Sequence, residues 1–438
     1  MELSLMAIGL IGIGIFLALL FMGQNVGLAM LVSGFVGIAM IRGFDAALSS
    51  MGFIVYRTSA STFLVVLPLF VLMGMAATQV GVSKDLFYSL NKWFGHLPGG
   101  LAISATAACT AFGALCGNVV ATAATLGKVA LPEMRRYRYN DELSAGTIAS
   151  AGNLGVIVPP STALIVYGFV TQTSIGALFA AGIIPALILT VMLMTQIYVQ
   201  VRINPKLAPK APAATWKERA VATKGFIGAF IVFGITMGGI MLGLFTPVEA
   251  GAVGVVAMFI VGLVTRNLTW KGFFSAIQNG GHITAMILLL IFGAMVFSSF
   301  LTASEITQSF SSAFVNLNLH PYIVMIIILL FYWVMGTFMD SWALLIISLP
   351  IFFPIVSDLG FDPLHFGVLC AITVAIGNIS PPVGVTVFAL RGVSPDLSVY
   401  RIFKGCVPSL GTMTAFMIAM IFLPGTATFL PNLMIPYR

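Results

Sequence analysis

Charge is what this sequence has least of: 13 acidic and 20 basic residues among 438, or 8% in all. Soluble domains carry about 25%, so the chain cannot build a water-facing shell. Histidine and cysteine are equally sparse, at four each. Cys109, Cys116, Cys370 and Cys406 lie in apolar segments without metal-ligand spacing, so they read as small buried hydrophobes and not as a disulfide or zinc framework. A nucleotide motor is also missing. The stretch "LGKVA", Leu126–Ala130, resembles a phosphate-binding lysine, but Thr122 replaces the required first glycine and Val129 the Ser/Thr. The energy for any transport must then come from an ion gradient. The net charge of +7 is no nucleic-acid footprint, because Lys and Arg fall in short loops between apolar runs, as membrane orientation requires.

What is present is apolar. The hydrophobic share is 59% and the mean hydropathy +1.08. With about 20 residues needed per crossing, the chain reads as an all-α polytopic membrane protein embedded in the lipid bilayer. Apolar runs predict ten spans, near 4–22, 25–41, 61–80, 143–170, 178–200, 225–244, 247–265, 283–302, 364–390 and 406–424. The first run lacks a basic n-region and a cleavage site, so it reads as a retained span. One linker, 201–224, rich in Pro, Ala and basic residues, divides the chain into halves 1–200 and 225–438.

Two segments are too short to cross twice. Residues 98–132 bend around "GALCGN" and 321–356 around "GTFMDS". Each arm of about fifteen residues reaches about 22 Å, short of the roughly 30 Å hydrocarbon core. Both read as re-entrant hairpins, tolerated only where buried in protein or lining a wet cavity. With the N-terminus outside, Lys84, Lys92, Arg135, Arg136, Arg138, the six linker cations, Arg266, Lys271, Arg401 and Lys404 fall inside; only Arg42, Arg57 and Arg438 fall outside. That bias supports the threading.

Two of the predicted spans are interrupted. "GNLGVIVPPSTALIVYG" breaks 143–170 and "GNISPPVGVTVFALRG" breaks 364–390, with their Gly-Asn pairs 225 residues apart and the hairpin tips Gly113 and Gly336 offset by 223. Each half holds three spans, a hairpin, a broken span and a final span. Five crossings per half is odd, so the second half sits upside down: an inverted repeat, the first hairpin entering from inside and the second from outside. Paired interruptions in inverted repeats mark the midplane site of a secondary transporter. Helix ends at the breaks offer N–H groups to an anion and carbonyls to a cation. The bland alternative is a Pro-Pro kink that serves packing alone.

The expected cation ligands are Gly117 and Asn118 at the first tip, Gly152 and Asn153 at the first break, Thr337 and Asp340 at the second tip, and Gly377, Asn378 and Ser380 at the second break. Asp340 reads either as an intramembrane functional charge or as a cap on the following arm. The expected substrate contacts are Pro159, Pro160, Ser161 and Thr162 in one break, and Pro381, Pro382, Thr386 and Arg391 in the other. Arg391, like Lys128, either attracts a carboxylate or snorkels to the inner surface. His96, His282, His320 and His365 flank spans and read as interfacial, and Glu249 in "TPVEAG" as a helix cap.

In order, "PLFVLMGM", "GHLPGGLA", "VATAATLGKVALPEM", "AGNLGVIVPPSTALIVYG", "AAGIIPALIL", "GLFTPVEAGAVGV", "GTFMDSWALLIISLPIFFPI", "DPLHFGV" and "GNISPPVGVTVF" resemble the large membrane subunit of TRAP (tripartite ATP-independent periplasmic) transporters. The resemblance covers nearly the whole chain. It implies sodium-coupled import of an organic acid, such as sialic acid or a C4-dicarboxylate, across a bacterial or archaeal inner membrane. It also implies an elevator mechanism, a small four-helix membrane subunit on a separate polypeptide and a periplasmic substrate-binding protein. Sodium ions are the only implied cofactor-like species, and no nucleic acid is expected. Two departures stand out. The family tip usually reads Ser-Gly-Ser-Ser where this chain has "CGNV", Cys116–Val119, which removes hydroxyls from the first sodium site, and Arg391 stands where a small or neutral residue is expected. A stand-alone dicarboxylate or anion carrier of related inverted-repeat build is the nearest rival. An intramembrane enzyme lacks its catalytic cluster, and a passive channel needs no opposed hairpins.

Overall fold

The computed structural model describes residues 4–209, 213–306, 308 and 319–434, all of them helix, turn or loop. Arg438 and Lys210 lie outside the described residues. The first half runs α1 (Leu5–Phe21), α2 (Val26–Arg42), α3 (Phe44–Ser59), α4 (Thr62–Val80), α5 (Val82–Phe94), α6 (Gly100–Cys116), α7 (Val119–Arg136), α8 (Asp141–Gly152), α9 (Thr162–Thr171) and α10 (Ile175–Ile203). The second runs α11 (Trp216–Met241), α12 (Pro247–Val264), α13 (Trp270–Ala303), α14 (Pro321–Gly336), α15 (Ser341–Asp358), α16 (Pro363–Gly377), α17 (Val385–Val393), α18 (Val399–Phe422) and α19 (Gly425–Leu433). Seven of these are long and apolar enough to cross a membrane, while α1 and α2 are 17 residues each and the broken spans divide their length.

The expected breaks and hairpins are present. The first tip is Gly117–Asn118 between α6 and α7, and the second is 337–340 between α14 and α15. Three readings need correction. The linker is shorter than 201–224, because α10 continues to Ile203 and α11 begins at Trp216, so Lys217, Arg219 and Lys224 are helical. The span read as 283–302 is the last part of the 34-residue α13, which puts His282 inside a helix and not beside one. His365 is not at an interface either: it is 2% exposed, with Nε2 2.8 Å from the Met420 carbonyl. Helices α3, α5 and α19 were not anticipated. In α5, buried Leu86 and Phe87 share a helix with exposed Lys84 and Tyr88, a 3.6-residue period without the long apolar run that marks a span. Glu249 does cap α12, closing a reciprocal box with Thr246.

The succession of elements recurs about 220 residues later: α6–α7 with α14–α15, α8 and α9 with α16 and α17, α10 with α18. Packing follows the same pairing. Helix α2 runs along α13, and its counterpart α12 runs along α4; α9 lies on α15 and α17 on α7. Thus the second segment of each broken helix rests on the hairpin of the other half. Helices α8 and α16 are buried on nearly every side, while α11 and α12 carry exposed Phe230, Ile231, Val256, Ile260 and Leu263, the apolar surface expected to face lipid.

Close backbone approach holds the centre together. Lipid is as apolar as leucine, so helices in a membrane associate through packing of small residues. A Cβ on Gly146 of α8 would fall on the Gly405 backbone of α18, and one on Gly405 would meet the Glu142 carbonyl. At the end of this pair lies a charged clasp. Arg135 binds Asp141 at 3.2 Å and Asp396 at 2.5 Å, Lys404 binds Glu142 at 3.1 Å, and Arg401 lies 3.8 Å from Asp141. The bond from Arg135 holds the Asp396 carboxyl below the ordinary carboxylate range, with Ser394 adding to the effect. A depressed carboxylate contributes above its unfolded value of about 3.9 and loses that contribution only as pH falls through the lower folded value. The clasp is therefore intact at neutral pH.

The Gly146–Gly405 crossing yields a direct test. Gly146→Val should separate α8 from α18 and lower the thermal midpoint of detergent-purified protein, in line with overpacking costs of about 1–3 kcal/mol. Gly411→Ala, where nothing lies within 4 Å of an added Cβ, should leave the midpoint unchanged. Equal midpoints for Gly146→Val and wild type would remove the crossing from the core.

Candidate functional site

Both breaks sit where the hairpin tips meet the buried helices. In the first, α8 ends in a tight turn, Asn153–Val156, and the chain passes Pro159–Pro160 before α9. A Cβ on Gly113 of α6 would lie 2.9 Å from the Gly155 Cα, so the tip arm and the broken helix touch backbone to backbone. Gly117 closes the tip at φ +59, and its Cβ would lie 2.6 Å from the Pro160 carbonyl; glycine is required on both counts. The second break repeats this arrangement. Gly377 approaches Gly336 so closely that its Cβ would meet the Gly336 carbonyl carbon at 2.7 Å, and the Gly384 N–H donates to the Thr337 carbonyl at 2.9 Å.

Side chains then tie the halves together. Thr162 Oγ1 donates to the Gly117 carbonyl at 2.6 Å and accepts from Trp342 Nε1 at 2.9 Å, joining the first tip to the second hairpin. Asn153 faces Thr386 across the centre: its Nδ2 donates to Thr386 Oγ1 at 2.9 Å and to the Ala149 carbonyl at 2.8 Å, while its Oδ1 lies 3.1 Å from the same hydroxyl. Both residues are fully buried. Ser380 donates to the Ile376 carbonyl at 2.8 Å and accepts from Trp333 Nε1 at 2.9 Å. Thr337 bonds back to the Val334 carbonyl at 2.8 Å.

The two breaks differ in what they leave free. In the first, Asn118 Oδ1 accepts from the Ala121 N–H at 2.9 Å as the cap of α7. Ser161 caps α9 through Leu164 N and donates to the Val156 carbonyl. Pro159, Pro160, Ser161 and Thr162 are all buried. In the second, Asn378 is 1% exposed; its Nδ2 donates to Ser341 Oγ at 3.1 Å, but its Oδ1 has no partner. A buried amide oxygen left unpaired costs about 1–3 kcal/mol. Pro381, Pro382 and Val383 are exposed, and α17 starts without a side-chain cap.

Asp340 directly precedes Ser341, the partner of Asn378. Asp340 is the cap residue of α15, with Trp342 N at 3.5 Å, and it lines a cavity of about 630 Å³ with Leu17, Phe21 and Asn25 of α1–α2 and Met286 of α13. Arg391 is exposed in the last turn of α17, and Lys128 is exposed on α7. Sequence reasoning missed Trp342, Trp333 and Ser341. The partners of these residues lie 180, 47 and 37 residues away, and no local pattern announces such pairings.

The Thr162 node is testable by a double-mutant cycle. Thr162→Val, Trp342→Phe and the double variant should each lower thermal stability, with a coupling energy near 1 kcal/mol, as for residues sharing a hydrogen bond. Simple additivity would show that the two side chains do not act on each other.

Residues 13–426 match the family described as tripartite ATP-independent periplasmic transporter, DctM component. The chain is 34% identical over 384 residues to the C4-dicarboxylate TRAP transporter large permease protein DctM of Pseudomonas aeruginosa, covering 87% of this chain and 89% of that protein. It is 31% identical to the sialic acid TRAP transporter large permease protein SiaM of Vibrio cholerae, covering 85% and 87%. Identity to the ectoine/5-hydroxyectoine TRAP transporter large permease protein UehC of Ruegeria pomeroyi is 30%, covering 95% and 97%. In fold it is similar to the crystal structure of the YdaH transporter of Alcanivorax borkumensis, with a TM-score of 0.65 at 14% identity, covering 87% and 89%. These relatives are transporter permeases and not enzymes, and this multi-pass membrane protein belongs to the TRAP transporter family as its large permease subunit.

Proposed function

We propose that the chain carries an organic acid inward across a bacterial or archaeal inner membrane, driven by sodium. It would act with a small four-helix membrane subunit and a periplasmic substrate-binding protein. The observation that carries the sodium assignment is Asn378 Oδ1, an unpaired oxygen in a 1% exposed residue at the second break. A hard cation takes oxygen ligands. Asn378 Oδ1, the adjacent Ser341 hydroxyl and the carbonyls at the end of α16 supply them without a carboxylate. The first break supports a weaker version of the same chemistry. The side-chain oxygens of Asn118 and Asn153 are engaged there, and the Gly117 carbonyl already accepts from Thr162.

We assign the substrate carboxylate to the start of α17, beside exposed Pro381 and Pro382, where the helix dipole and the Val385 N–H favour an anion while the Thr386 and Val387 N–H groups are held by the Asn378 and Gly384 carbonyls. A sodium ion on Asn378 would fix the end of α16, and with it the turn leading to that anion site. Binding of the two would thereby be coupled. Transport follows as an elevator motion: the inverted repeats bring both hairpins and both broken helices into one body, which slides against α1–α4 and α11–α13. Asp340 lies at the boundary of these groups, and its capping role predicts a loss on alanine substitution of about 1 kcal/mol. The relatives transport a C4-dicarboxylate, sialic acid and ectoine, so the class of small organic acids and zwitterions is the one to screen.

Thermal stability in sodium against potassium at equal ionic strength tests the cation site. A ligand at 100 times its dissociation constant adds about 2.7 kcal/mol. Sodium should raise the midpoint of the wild type and of Asn118→Ala, and should not raise that of Asn378→Ala. An equal rise in Asn378→Ala would place the ion elsewhere, and no rise in the wild type would point to proton coupling.

A further inference from the structure

The two halves are not perfect copies, and the departure opens a second polar cavity. The second half has one unbroken 34-residue helix, α13, where the first half has two, α3 and α4, separated at Ala60–Ser61. At that interruption lies a cavity of about 570 Å³ lined by Arg57, Thr58, Ser61, Gln172, Ser298 and Ser299 among others. Its walls come from α3–α4, the far end of α13 and the end of α9. It therefore lies at the opposite end of the broken helix α8–α9 from the Arg135–Asp141 clasp.

The chemistry of this cavity is that of an anion site. Among the described residues, Arg57 is in no ion pair, and the hydroxyls of Ser61, Ser298 and Ser299 make no hydrogen bond. Gln172 is held in the left-handed region at φ 56, and its Nε2 donates to the Phe169 carbonyl at 2.7 Å. Glu305, the carboxylate nearest in sequence to the α13 wall, forms no ion pair with Arg57. A guanidinium with several free hydroxyl donors and no competing carboxylate in contact fits a carboxylate group. The charge bias of the loops places this end outside, where only Arg42, Arg57 and Arg438 fall.

The geometry points to an outer vestibule site in which Arg57, with the hydroxyls of Ser61, Ser298 and Ser299, first captures the carboxylate of the incoming substrate before it reaches the breaks. The site rests on the proposed import of an organic acid. It lies between α3–α4–α13 and α9, so the same anion contacts both groups of helices in the proposed elevator motion. An interruption that only relieved packing would not gather an unpaired arginine and three unused hydroxyls into one cavity.

The test uses a reporter at the cavity mouth, where Phe53 is 63% exposed. Phe53→Cys in the full chain, co-expressed with its small subunit, is labelled in whole cells with a membrane-impermeant maleimide; the four native cysteines are buried. Succinate is expected to slow the labelling, and Arg57→Gln in the same background to abolish that protection, while chloride at equal ionic strength protects neither. In uptake, Arg57→Gln should raise the half-saturation concentration about tenfold, the size of one lost charge-assisted hydrogen bond, with the maximal rate little changed; Arg57→Lys should recover part of the loss. Labelling unaffected by succinate, protection that persists in Arg57→Gln, or labelling only from the inner side would each overturn the site. The two readings separate cleanly. Arg57-dependent protection without sodium-driven uptake would sink the proposed function and keep the vestibule. Sodium-driven uptake with an unchanged half-saturation in Arg57→Gln would do the reverse.

Discussion

Every backbone polar group at depth in a membrane must find a partner inside the protein, since hydrocarbon offers none. That constraint governs this fold. Breaking a helix twice frees N–H and C=O groups in the middle of the molecule, and each break is repaired by local turns together with a few bonds from segments distant in sequence. Thr162 and Trp342 close the first tip against the second hairpin. Gly384 and Thr337 close the second break against its own hairpin, and Asn153 with Thr386 joins the two broken helices at the centre. Glycine at 113, 117, 336 and 377 brings the tips close enough for these bonds to form. Among the described residues, the buried side-chain atoms left without a partner are Ser150 Oγ near the end of α8, Asn378 Oδ1 at the second break and Arg219 Nε, and α17 starts without a side-chain cap.

The two halves differ at their breaks. The first is buried, with Asn118, Asn153, Ser161 and Thr162 all hydrogen-bonded. The second is exposed at Pro381–Val383 and retains the unpaired Asn378 oxygen. An inverted repeat supplies two similar frames, and small differences in side chains make them chemically unequal. The split between α3 and α4 is a further difference, and it lies at the opposite end of the broken helix α8–α9 from the charged clasp.

Much of this was legible in the residues. Gly-Asn and Pro-Pro pairs inside apolar runs located both breaks, because proline cannot continue a helix. Short apolar arms on either side of Gly113–Asn118 and Gly336–Ser341 located both hairpins. The recurrence of these signals about 220 residues apart revealed the doubled plan. Helices α3 and α5 escaped because Asp45, Arg57, Lys84 and Asp85 interrupt their apolar runs, and amphipathic helices do not announce themselves by hydropathy alone. The linker is shorter than its composition suggests because Lys217, Arg219 and Lys224 belong to α11, which a capping box of Thr215 and Glu218 starts among them. At the breaks, residue types alone do not distinguish the asparagines. Asn118, Asn153 and Asn378 are equivalent as letters. Only their partners, set by tertiary packing, separate a cap, a bridge and an unpaired oxygen.

The most direct measurement is a cryo-electron microscopy difference map of the purified permease, with its small subunit, prepared in thallous salt as a heavy stand-in for sodium and again in choline. The account predicts a peak in the second break within oxygen-ligand distance of Asn378 Oδ1 and Ser341 Oγ, absent in Asn378→Ala. Difference density found only beside Asp340, or a second break without any peak while the wild type still takes up substrate with sodium, would contradict it.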